Sequence, residues 1–176
     1  MPEDPLMKPA EAAAPARTFS IYEPDQPIGE LGFAEQFVVW CLRVQWRLAE
    51  DGAGHSLLLQ RAFDALELPG GAAMVAELAA ALTRTVGRPL SIPCPHWRVL
   101  TNDEARVLDF IAGLQHHCQA AQGRFDGSWR AARCGASPVW APAQRLALAL
   151  SAAGLTLGNA AQPGVAFPEA MPRLLY

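Results

Sequence analysis

The sequence predicts an all-α protein: a single compact bundle of about five helices with extended N- and C-terminal arms. Apolar side chains recur every three or four residues along several segments, and glycine or proline ends most of these segments. The chain has 176 residues, of which 51% are hydrophobic and 18% charged, so it can bury one sizeable core. We expect the bundle at residues 31–156.

The two ends of the chain differ in composition from the middle. Residues 1–30 combine six prolines with alanines and acids, which is typical of a flexible arm. Within this arm, residues 18–22 alternate polar and apolar side chains and are expected to dock on the bundle as a short extended segment. Residues 157–176 form a second tail with an apolar tip.

Three helices are predicted in the first half of the chain. The first has an apolar stripe that includes Phe37 and Val44, and it leaves Glu35, Arg43 and Arg47 on other faces. The third should end at Gly87, a residue suited to the left-handed conformation that closes helices. The three predicted helices are residues 33–50, 56–67 and 72–86.

Two more helices are predicted in the second half. Thr101 and Glu104 match the Thr-x-x-Glu capping box, so the fourth helix begins there and continues to about residue 121. Ser137 is suited to cap the fifth helix with Pro138 at its first position, and Gly154 should end it. Residues 125–134 are ambiguous, with a short helix as one alternative.

Soft metal-ligand side chains gather around residues 90–118. Cys94-Pro95-His96-Trp97 precedes the fourth helix, which closes with His116-His117-Cys118, and zinc or iron would accept such ligands. The candidate metal set is Cys94, His96, His117 and Cys118.

The spacing of these ligands disfavours a shared metal. The helix from Thr101 to His117 covers about 24 Å, whereas the chain from His96 to Thr101 reaches only about 17 Å when extended. We therefore favour a structural loop or short irregular strand at residues 90–99, in which Trp97 packs across helix ends and His96 makes an ordinary hydrogen bond. No cofactor is then expected, and zinc is the alternative.

Trp46 lies off the apolar stripe of the first helix, between Arg43 and Arg47. Exposed tryptophans and arginines dominate protein interfaces, so these three residues are the predicted partner-binding set. Burial of Trp46 under the N-terminal arm is the alternative.

Several function classes find no support in the sequence. A net charge of −3 without an arginine run argues against binding to nucleic acid. The acidic N-terminus lacks the apolar core of a secretory signal, and no apolar run is long enough to span a membrane, so we expect a cytoplasmic protein with reduced cysteines. No catalytic residues can be selected, because Asp103 and Glu104 are explained as helix-terminus or surface acids.

The Cys94-Pro95-His96-Trp97 element and the helix start Leu100-Thr101-x-Asp103-Glu104 resemble small uncharacterised helical proteins of alphaproteobacterial type. The resemblance spans about residues 33–154. It implies a helical domain and no particular activity.

These observations favour a non-enzymatic interaction or regulatory subunit of the cytosol whose partner is another protein. The alternative is a protein that binds zinc or iron, or depends on a thiol, through the loop at Cys94 and His96. Whether the chain also binds copies of itself is left open by the sequence.

Overall fold

The computed structural model describes residues 21–50, 56–116 and 137–158. These residues form five α-helices and a short 3-10 helix, and the all-α prediction is confirmed for them. Among them there is no strand, only an isolated antiparallel bridge between Pro27 and Val99. The 3-10 helix is Ile28–Glu30, and the α-helices are α1 Phe33–Glu50, α2 Leu57–Ala65, α3 Gly71–Val86, α4 Asn102–Gln115 and α5 Trp140–Ala152.

Helix α1 packs against α2, α3 and α4. Its middle is buried on more faces than the predicted stripe, because Val38, Val39 and Leu42 are buried together with Phe37 and Cys41. The prediction that Glu35 and Arg43 lie on polar faces is therefore wrong. Their side chains are only 6% and 2% exposed, and both form hydrogen bonds with residues outside α1.

Helix α5 closes the bundle against α3 and α4. Leu146 and Leu150 of this helix are buried. The ring of Trp140 meets Phe110 of α4 edge to face, with 5.9 Å between ring centroids. Such a pair adds about 1 kcal/mol to the burial of the two rings.

The predicted helix ends are confirmed at several positions. Gly87 has a φ of 71° and ends α3 as expected. Thr101 and Glu104 form the complete capping box of α4, which runs to Gln115. Any continuation of α4 towards residue 121, and the ambiguous residues 125–134, lie outside the described residues.

The start of α5 differs from the prediction. The backbone N–H of Trp140 donates to the carbonyl of Ser137, and the N–H of Val139 donates to the Ser137 hydroxyl. These bonds close a turn before the helix, so α5 begins at Trp140 rather than at Pro138.

Residues 21–31, here called the N-terminal strap, lie against the body of the bundle. Tyr22 and Leu31 are buried at the two ends of the strap, and the Ile21 N–H donates to the Asp109 carboxylate of α4 at 2.9 Å. The docking predicted for residues 18–22 is thus seen at Ile21 and Tyr22. The strap covers part of the range expected to be a flexible arm.

The strap meets the end of the described chain at the buried carboxylate of Glu35. One Glu35 oxygen accepts hydrogen bonds from the Tyr22 hydroxyl at 3.0 Å and from the Gly158 N–H at 2.8 Å. Burial and the nearby Glu35 carboxylate raise the pKa of Tyr22 well above its ordinary value. Tyr22 therefore stays a neutral donor, and Glu35 ties both ends of the described chain to α1.

None of the helices in the described ranges is both long and apolar enough to cross a membrane.

Candidate functional site

Residues 94–97, here called the Cys94 turn, project from the loop between α3 and α4. The N–H of Trp97 donates to the carbonyl of Cys94 at 3.1 Å, and Pro95 occupies the second position, where its fixed φ favours a β-turn. The side chains of Cys94, His96 and Trp97 are exposed, as is that of Arg98 beside the turn. Trp97 is 53% exposed, so the prediction that it packs across helix ends is wrong.

The backbone beneath the Cys94 turn is held by the buried side chain of Arg43. Its guanidinium donates to the carbonyls of Trp97 and Val99, the latter at 2.9 Å. The same group binds both oxygens of Glu104 on α4, at 2.6 and 2.8 Å. A planar guanidinium with five N–H donors suits such a set of acceptors. Arg43 thus joins α1, the loop and the start of α4.

Residues 97–100 run extended between α1 and the N-terminal strap. Carbonyls of successive residues point to opposite edges of an extended chain. Those of Trp97 and Val99 point to Arg43, whereas those of Arg98 and Leu100 accept from the N–H groups of Ile28 and Asp25 at 2.9 and 2.8 Å. All four carbonyls of this segment are therefore satisfied within the protein.

A second arginine–carboxylate pair holds the other end of the loop. Arg88 binds both oxygens of Asp103, at 2.8 and 2.5 Å, and the Ser91 N–H donates to the same carboxylate at 2.8 Å. Burial alone would raise the pKa of Asp103. The bonds from Arg88 and Ser91 outweigh it and hold the pKa below its ordinary value of 3.8. Asp103 is consequently ionised at neutral pH.

The interpretation of Asp103 and Glu104 as helix-terminus acids is confirmed, since both lie in the first turn of α4, whereas the alternative that they are surface acids is wrong. Both side chains are buried, at 2% and 0% exposure, and each is neutralised by an arginine. The capping box was visible in the sequence. The partner Arg43 is 61 residues from Glu104, and only the fold brings the two together.

The three residues of the predicted partner-binding set lie in different environments. Trp46 is half-buried and packs against the core, and Arg47 is exposed. Arg43 is 2% exposed, so its side chain is not on the surface. It nevertheless shares one side of α1 with Trp46 and Arg47, since residues three and four apart on a helix are neighbours.

Half of the predicted metal set lies in the described residues. Cys94 and His96 are exposed in the same turn, whereas His117 and Cys118 fall outside the ranges that the structure covers. In those ranges no three His, Cys, Asp or Glu side chains are grouped so as to hold a metal ion. His116 instead has its Nε2 atom 2.9 Å from the carbonyl oxygen of Leu157. Binding of zinc or iron stays a prediction.

The second described cysteine, Cys41, has no exposed thiol. It is 1% exposed in the middle of α1, and burial raises the pKa of its thiol. Thiolates are the reactive form of cysteine, so Cys41 is a structural residue.

A groove of about 410 Å³ lies between α1, α2 and the start of α3. Leu59 and Phe63 form part of its wall, together with Gln45, Gln60 and Asp64. Asp64 is the one charged side chain of this lining, and no group of titratable residues faces the groove among those described. We therefore place the candidate site at the Cys94 turn, where exposed and firmly held groups are concentrated.

Comparison with known proteins gave no match to this chain, whether against family models, curated protein sequences or solved structures. The resemblance to helical proteins of alphaproteobacterial type therefore stays a prediction. The contacts of the Cys94 turn are the basis for assigning a function.

Proposed function

We propose that the protein is a non-enzymatic interaction subunit of the cytosol that binds another protein through the Cys94 turn. The observation that carries this proposal is the contrast between the two sides of the turn. Its side chains Cys94, His96 and Trp97 are exposed, while the backbone behind them is fixed by the buried guanidinium of Arg43.

An exposed tryptophan on a fixed backbone is well suited to binding. Tryptophan is among the residues that contribute most often to binding free energy at interfaces, because covering its large ring removes a large apolar surface from water. Ordering a mobile loop would offset part of that gain, and a loop that is already held in place avoids this cost. Because the carbonyls of residues 97–100 are already bonded within the protein, the exposed side chains of the Cys94 turn are the groups offered to a partner.

Replacing Trp97 with alanine tests the role of the exposed ring. We expect the binding of a protein partner to weaken by about 2 kcal/mol, or about 30-fold in Kd, because the central aromatic contact is removed. The melting temperature should change little, since substitutions at exposed positions usually alter stability by less than about 0.5 kcal/mol. Quantitative mass spectrometry of proteins cross-linked to each variant in extracts of its own cells measures the effect.

Leu148→Ala is the matched control. Leu148 is also 53% exposed, but it lies on α5 rather than in the loop that carries the Cys94 turn. It should retain every partner that the wild-type chain captures. Identical capture by the wild-type chain and Trp97→Ala would refute the proposed function.

A further inference from the structure

We propose that Arg43 is the positioning residue of the binding surface, fixing the backbone of Trp97 and Val99 without touching the partner. This inference rests on the proposed function of the Cys94 turn. It replaces the sequence-based expectation that Arg43 itself contacts a partner, because the side chain is 2% exposed.

The geometry of Arg43 explains why an arginine occupies this position. The guanidinium donates hydrogen bonds to two carbonyls of the extended segment, those of Trp97 and Val99. These carbonyls lie on the edge opposite the N-terminal strap. In a sheet those acceptors would meet the N–H groups of a neighbouring strand. Arg43 supplies equivalent donors from a helix, and so holds the last residue of the Cys94 turn at a fixed distance from α1.

The charge of Arg43 is balanced by Glu104, so Arg43 does not act by attracting a charged partner. The carboxylate of Glu104 binds the guanidinium at 2.6 and 2.8 Å, so the pair contributes no net charge. Arg43 therefore acts through the direction of its hydrogen bonds. A lysine keeps the charge, but its compact ammonium lacks the planar fork needed to reach both carbonyls and both carboxylate oxygens together.

The test is Arg43→Lys in the 176-residue chain. We expect the Trp97-dependent partner to be captured at least 10-fold less efficiently than by the wild type. We also expect amide hydrogen exchange at Ile28 and Leu100 to become at least 10-fold faster, because these N–H groups pair across the segment that Arg43 holds. Exchange in the buried part of α3 should change much less.

Glu35→Gln is the control for a general loss of stability. Glu35 is also a buried charged residue of α1, but it binds Tyr22 and Gly158 rather than the loop. At a temperature where both variants are folded, Glu35→Gln should retain the partner. The inference is overturned if Arg43→Lys also retains the partner, or if both variants lose it in proportion to their loss of stability.

A second variant keeps the test decisive if Arg43→Lys does not fold. Arg43→Met combined with Glu104→Gln leaves no unpaired buried charge, and glutamine can replace glutamate in the capping box. It removes the donors to Trp97 and Val99, so capture should again be lost. If Trp97→Ala abolishes capture while this double variant does not, the inference fails and the proposed function stands.

Discussion

Glu104 serves two structural purposes with one carboxylate. It accepts the backbone N–H of Thr101 at 2.9 Å, which completes the capping box of α4, and it binds the guanidinium of Arg43. The side chain is 0% exposed. A buried ion pair adds little net stability compared with apolar residues, but removing one partner leaves an uncompensated charge and is costly.

We predict that Glu104→Ala lowers the free energy of unfolding by about 3–5 kcal/mol, because Arg43 would be left buried and unpaired. Urea denaturation followed by circular dichroism measures this change. The control is Glu77→Ala, since Glu77 pairs with Arg145 on the surface, where the two side chains are 56% and 50% exposed. That substitution should cost less than about 1 kcal/mol. Equal losses in the two variants would contradict the burial-based explanation.

At the level of single residues, only part of this arrangement was predictable. The Thr-x-x-Glu pattern is local, so the capping box could be identified from four consecutive residues. The burial of Arg43 and Glu35 was not predictable, because helical periodicity assigns polar residues to the solvent face when no partner is known. Their partners are distant in sequence and lie on the loop, the strap and α4.

Among the secondary-structure elements, α3 begins with a glycine, Gly71, because the ring of Phe63 on α2 leaves no room for a side chain there. A Cβ atom on Gly71 would lie 2.1 Å from Cδ1 of Phe63 on α2. Such a distance is far below van der Waals contact, so only glycine allows the two helices to approach this closely. The sequence pattern placed the start of α3 one residue later, because glycine is usually a sign of a helix end.

We therefore predict that Gly71→Ala lowers the free energy of unfolding by about 1–3 kcal/mol through overpacking against Phe63. Gly29→Ala is the control, since nothing lies within 4 Å of a Cβ atom at that position. Its stability should be unchanged or higher by up to about 1 kcal/mol, because alanine restricts the unfolded chain. Chemical denaturation of both variants checks the difference, and a neutral Gly71→Ala would rule out the close approach.

The helices themselves were more predictable than their exact ends. Long periodic segments with strong terminators, such as α1 and α3, agree with the prediction to within a residue at the described ends. The start of α5 was predicted two residues too early, because the hydroxyl of Ser137 caps a preceding turn. Capping signals identify a hydrogen bond to the backbone, and the same bond serves turns and helices.

For the whole molecule, the N-terminal strap is a structural part of the bundle. It contributes the buried side chains of Tyr22 and Leu31, and its backbone makes three hydrogen bonds with residues 98–100. Proline content suggested a flexible arm over this range, since prolines disfavour regular elements. Extended segments anchored by a few apolar side chains give a weak sequence signal, and packing against α1 and α4 decides their structure.

We predict that a chain beginning at Gly32 is less stable than one beginning at Ile21 by at least about 3 kcal/mol, the contribution of two buried apolar side chains. The chain beginning at Ile21 keeps the strap and serves as the reference. Thermal and urea unfolding of the two truncated chains measure the difference. Superimposable transitions would show that the strap contributes no stability.

The meeting of Ile21 and Gly158 has a practical consequence for attaching the protein to a support. A Cβ atom at Gly158 would lie 3.4 Å from Cδ1 of Ile21, so the described body begins and ends at one place, beside His116 at the end of α4. Helix α4 has 14 residues and is about 21 Å long, and the Cys94 turn precedes its other end. An immobilisation handle joined directly before Ile21 or directly after Gly158 would therefore attach at the end of α4 remote from the Cys94 turn, leaving Trp97 facing the solution.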